Sequence, residues 1–191
     1  MTRLARLLGA ALLTVAHPAS ASAAPAKEIV AEAQSDLNGD GVKDRILLLH
    51  DPGGEDVDLA IYLSTGGVAP IRPSLYKAAF GWTGDMAGTK PELSVNRAGS
   101  LIVVFQNDSI GRDRWRRQFT IAFRGGDLMV AGYDYEARDT LAPGHGGRCD
   151  VNFLSGRATR NGKPATLGVL PIIHRLASWT DQSAPAFCDF E

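Results

Sequence analysis

Between Asp36 and Asp44 the chain reads DLNGDGVKD, and its oxygen-bearing side chains recur at alternate positions. Counted from Asp36, Asn38 stands at position three, Asp40 at five, Gly41 at six, Val42 at seven and Asp44 at nine. Calcium takes about six to eight hard oxygen ligands in flexible geometry, and alternate side chains of a tight loop can converge on one centre. Gly41 would take the sharp bend, leaving the carbonyl of Val42 to join the side-chain oxygens of Asp36, Asn38, Asp40 and Asp44. Position twelve is Leu47, so the bidentate glutamate of a helix-loop-helix site is missing. The site expected here therefore lies at a strand connection and binds weakly, at roughly 0.1 to 1 mM. The competing reading is an acidic turn whose Asp and Asn side chains bond to nearby backbone amides.

A second candidate is the basic run from Arg112 to Arg117, RDRWRR. Arg112, Arg114, Trp115 and Arg116 are candidate contacts for an acidic partner or a glycan, since guanidinium groups and tryptophan dominate such surfaces. Strand alternation gives a plainer account, in which Trp115 joins Phe119, Ile121 and Phe123 on a buried face while Arg114 and Arg116 meet water. Arg117 then falls on the apolar side and needs a carboxylate partner. Catalysis has thin support: of His50, His145 and His174, none has a nucleophile or metal ligand at a recognisable spacing. Only His145, in a glycine loop, is a candidate base, with Asp139 or Asp150 as a distant carboxylate. Tyr133 and Tyr135 sit among charges at an expected strand end, where they would cap the sheet and expose their hydroxyls.

Short apolar runs separated by turn residues must position these groups, and their period is two. Strands are expected at 46–49, 59–63, 92–95, 101–105, 118–123, 128–133 and 151–154, with a further one around 172–179. Loops at 96–100 and 124–127 read as hairpin turns. SLYKAAF at 74–80 has room for at most two helical turns, and no longer segment holds a helical apolar pattern. With 21 glycines and 10 prolines in 191 residues, the expected fold is mainly β: an antiparallel meander or a sandwich of hairpins with one calcium-loop strand connection and little helix.

The loop and the strand after it, DLNGDGVKDRILLL, resemble the calcium loop of FG-GAP and VCBS-type repeats of secreted β-propellers over roughly residues 28–63. The resemblance implies that Asp36, Asn38, Asp40 and Asp44 hold calcium as a structural clip. A propeller needs several such repeats, and the loop occurs once. QNDSIGRDRW at 106–115, GYDYEARDTL at 132–141 and CDVNFLSG at 149–156 are similar to segments of bacterial exported β proteins that carry no assigned activity.

Residues 1–23 have the layout of a secretory signal: Arg3 and Arg6, an apolar run from Leu7 to Ala16, then small residues to Ala23. The run is too short to span a membrane, which takes about 20 apolar residues. Beyond it lie 168 residues, enough for one β-rich domain over 24–191, with 18 basic and 21 acidic side chains. That balance argues against a nucleic-acid partner. In an exported chain the two cysteines, Cys149 and Cys188, are expected to pair. The functional expectation is a periplasmic or secreted binding protein with a protein partner in the cell envelope and a structural calcium ion. Its alternatives are an inhibitor or immunity protein that blocks a cell-envelope enzyme with a loop such as 106–117, and a hydrolase built on His145.

Overall fold

The computed structural model describes residues 26–68, 70–167 and 174–190. The expected export signal lies outside the described residues. Glu28–Ser35 (β1), Asp44–His50 (β2), Asp56–Tyr62 (β3) and Leu75–Trp82 (β4) form one antiparallel sheet in chain order. Glu92–Val95 (β5), Leu101–Asn107 (β6), Asp113–Arg124 (β7), Asp127–Asp139 (β8), Gly146–Asn152 (β9), Arg157–Arg160 (β10) and Lys163–Pro164 (β11) form a second, again in chain order. Each strand pairs with its neighbour in sequence, so both sheets are meanders and the fold is mainly β, as expected. β1 borders β5 where the sheets meet.

One core fills the space between them. Ile46, Leu48, Val57, Leu59, Ile61 and Phe80 from the first sheet meet Leu101, Val103, Phe105, Phe119, Ile121 and Tyr133 from the second. Two irregularities keep that inner face apolar. In β8 the alternation slips, since Leu128 and Val130 are out of phase with Tyr133 and Tyr135. The register shift opposite Thr120 and Ile121 absorbs one residue and turns both halves inward. Between β3 and β4, Val57 pairs with Gly81 but Leu59 pairs with Lys77, which leaves a wide bulge opposite Asp58.

Several sequence expectations change. Residues 74–80 are not helical; Ser74 precedes β4, whose Leu75, Tyr76 and Lys77 pair with Ile61, Ala60 and Leu59, and this cross-strand pairing overrides local helical propensity. Of the strand expected around 172–179, residues 172 and 173 lie outside the described residues, and Leu176–Ser178 is a 3-10 turn. There the chain crosses the sheet rather than extending it, and only Arg175 bridges to Met129. β1, in an alanine-rich segment, has no counterpart among the expected strands. Tyr133 does not expose its hydroxyl at a strand end: β8 continues to Asp139, and Tyr133 is 3% exposed against Phe119 and Trp179.

The C-terminal segment, 174–190, lies across the inner face of the second sheet and adds Leu176 and Trp179 to the core. A disulfide between Cys149 in β9 and Cys188 ties it down, with Cα atoms 5.3 Å apart and both residues buried. The pairing expected from the sequence is the one found.

Candidate functional site

The loop from Asp36 to Asp44 joins β1 to β2 and is braced from both ends. Leu37 is buried in the core and its N–H donates to Asp44 Oδ2 at 2.7 Å. Asp44 is fully buried, and its Oδ1 accepts the Ser64 N–H, at the exit of β3, at 2.8 Å. The other side chains turn toward the loop's own amides. Asp36 accepts from Gly39, Asp40 and Gly41, Asn38 Oδ1 accepts from Asp40, and Asp40 Oδ1 accepts from Val42. Gly41 holds φ at 85°, where a side chain is disfavoured. This network is the acidic turn of the competing reading. Among the described residues no group of three or more His, Cys, Asp or Glu is disposed to hold a metal. Each carboxylate oxygen can accept a second partner, so the donors Asp36, Asn38, Asp40, Asp44 and the Val42 carbonyl suit a hard cation in type.

The basic run falls on β7, and alternation divides it. Arg114 and Arg116 face outward across from Arg138 and Glu136, beside a cavity of about 200 Å³. Arg114 Nη1 is buried there with no hydrogen-bond partner among the described residues. Arg112 leaves this surface, since its Nε donates to Asp139 Oδ2 at 2.9 Å. Trp115 packs against Trp82 on the inner face, with ring centroids 5.6 Å apart. The four candidate contacts therefore do not share one surface.

Arg117, on the inner face, gains the carboxylate that its position requires: its Nη1 donates to Asp181 Oδ1 at 2.8 Å. The guanidinium carbon lies 5.7 Å from the Tyr135 ring centroid, and Nε is buried with no hydrogen-bond partner among the described residues. Around it β4, the inner face of β7 and β8, and the C-terminal segment line an open cleft of about 420 Å³, with Phe80, Trp82, Trp115 and Tyr135 as its aromatic walls and Asp56 also at its edge. A second cavity of about 330 Å³ shares Arg117, Tyr135 and Asp181 with it. Phe190 stacks on Tyr135, with centroids 6.2 Å apart. Sequence reasoning could not assemble this site, because Trp82, Trp115, Tyr135 and Asp181 belong to four separate segments. The one signal present was the misplaced charge of Arg117.

His145 is exposed beside Asp139, but among the described residues no hydrogen bond joins its ring to Asp139 or Asp150. Asp139 is committed to Arg112 and to the amides of Leu141 and Ala142, which hold its carboxyl down at about 2. Asp150 stands across from Asp134 on the outer face. Burial, then the Asp150 carboxylate, pushes Asp134 up to about 6, against the pull of Arg148 and Arg116. His174 packs between Phe153 and Trp179, and burial lowers its pKa.

One buried carboxylate has a structural role that the sequence did not announce. Asp58 accepts from Lys27 at 2.6 Å, from the Tyr76 hydroxyl and from the Ala79 N–H at 2.9 Å. Ala79 has φ of 48°, in the left-handed region that alanine avoids. Asp58 thus holds the β3–β4 bulge in place. Burial raises its pKa, but these hydrogen bonds outweigh burial and keep it lowered. No protein-family model, curated protein or solved structure matches this chain.

Proposed function

We propose that the protein is an exported binding protein whose site is the cleft between β4, the inner face of β7 and β8, and the C-terminal segment. The carrying observation is its concavity: about 420 Å³ with aromatic walls and a few convergent polar groups, the composition typical of small-ligand sites. The Cys149–Cys188 bridge, which fixes one wall, is compatible with export. Ligand-observed NMR on low-molecular-weight fractions of cell envelope tests the reading. Signal transfer should occur with the wild-type protein and vanish in Trp115→Ser; no transfer from any fraction overturns it.

The loop 36–44 is proposed as a structural calcium clip that joins the β1–β2 connection to the exit of β3. Support comes from the alternation of Asp36, Asn38 and Asp40, and from Asp44 bridging Leu37 and Ser64. Binding stabilises the native state by RT ln(1 + [L]/Kd), about 1.4 kcal/mol at ten times Kd. Thermal unfolding in EDTA and at rising calcium should show a higher midpoint with calcium, lost in Asp40→Ala. No shift at several millimolar calcium, about the top of the range for such modules, leaves only the turn.

An inhibitor role remains the second reading, favoured by the turn between β6 and β7. Asn107 braces that turn through the Ile110 carbonyl at 2.8 Å and the Asp113 carbonyl at 3.0 Å, and presents an exposed Ile110. A preorganised apolar tip of this kind suits insertion into an enzyme. Ile110→Asp without loss of any partner interaction removes that site.

A further inference from the structure

A guanidinium is a planar fork, and its two terminal nitrogens, Nη1 and Nη2, match the two oxygens of a carboxylate. At Arg117 only half of the cleft-side fork is used. Nη1 donates to a single oxygen of Asp181, while among the described residues no hydrogen bond engages Nη2. A ligand carboxylate that engages both terminal nitrogens gains a second charge-assisted hydrogen bond. Asp181 is a weak holder of the position. It lies in a short 3-10 turn, Asp181–Ser183, and its side chain is 83% exposed. Arg117, Tyr135 and Asp181 line both cavities, so the pair stands between them. Displacing Asp181 would join the two into one longer cleft.

We propose that this cleft binds a carboxylate-bearing small ligand, whose carboxylate takes the Arg117 fork in place of Asp181 and whose body packs against Trp115, Trp82 and Tyr135. The proposal rests on the reading of the cleft as the binding site and names the chemistry it selects. Aromatic rings form the walls around Arg117, and the carboxylates of Asp56 and Asp181 also line the cleft. Such rings stack equally on the apolar face of a sugar ring and on a peptide side chain. A uronic sugar and a peptide with a free C-terminus present the same anchor.

The test titrates the purified protein, following intrinsic tryptophan fluorescence and calorimetry, with trigalacturonate and its methyl ester, and with acetyl-dialanine and its C-terminal amide. At least one acid should bind and its neutral counterpart should bind about tenfold more weakly, the worth of one charge-assisted pair. Which acid binds identifies the source. Asp181→Asn should tighten binding by about threefold or more, because the competing carboxylate is gone. That gain cannot arise from misfolding. Arg117→Lys, which keeps the charge and loses the fork, should weaken binding about tenfold. Equal binding of acid and neutral forms, or an unchanged affinity in both variants, overturns the proposal. If envelope fractions bind through Trp115 while neither acid does, the carboxylate chemistry fails and the cleft stands; if nothing binds, both fail.

Discussion

Asp58 and Asp134 show how one residue type serves opposite ends within a sheet protein. Asp58 is 6% exposed at its side chain and is ionised among three donors. Asp58→Ala would leave the Ala79 N–H, the Tyr76 hydroxyl and Lys27 without their acceptor, and should cost about 2–4 kcal/mol in urea unfolding. Asp58→Asn, which keeps an acceptor for Ala79, should cost less. Asp134 meets Asp150 and a partly buried site instead, so the folded protein holds its proton more tightly than the unfolded chain. Its contribution to stability is therefore greatest below about pH 4 and falls as pH rises to about 6. The difference in unfolding free energy between wild type and Asp134→Asn, followed across that window, should shift in favour of the variant as pH rises. A flat difference refutes the assignment. Neither environment is visible in the sequence, where both residues are isolated aspartates in apolar or mixed strands.

At the scale of elements, the bulges decide what faces the core. β4 departs from regular pairing so that Phe80 points inward, and the ring of Phe105 then lies directly over the backbone of Gly81. A methyl group at that position would collide with the ring, which is buried and cannot swing away. Gly81→Ala should destabilise by about 1–3 kcal/mol, the usual range for overpacking, and should lower the thermal midpoint without changing the far-UV spectrum. The period-two pattern carried most strands, because apolar alternation in 92–95, 101–105 and 118–123 reflects one buried face. It could not carry β1, whose alanines bury little, nor β4, whose local composition suits a helix. Both form because β2 and β3 present unpaired edges that their backbones satisfy.

At the scale of the whole molecule, the C-terminal segment is the element that turns two sheets into a site. It supplies Trp179 to the core and Asp181 to Arg117, and Cys188 fastens it to β9. Cys188→Ser should lower stability by about 4 kcal/mol on the chain-entropy account for a loop of this length. It should also widen the cleft, raising the accessibility of Trp115 to a soluble quencher. An unchanged quenching constant would mean that packing of Leu176 and Trp179 alone holds the segment. The strand alternation, the hairpin turns, the disulfide partners and the need of Arg117 for a carboxylate were all legible in the sequence, because each depends on local periodicity or on a residue type with one dominant chemistry. The choice of Asp181 for Arg117 and the meeting of Trp82 with Trp115 were settled only by tertiary structure. They join residues 33 to 64 positions apart, and no periodicity encodes contacts made across two packed sheets.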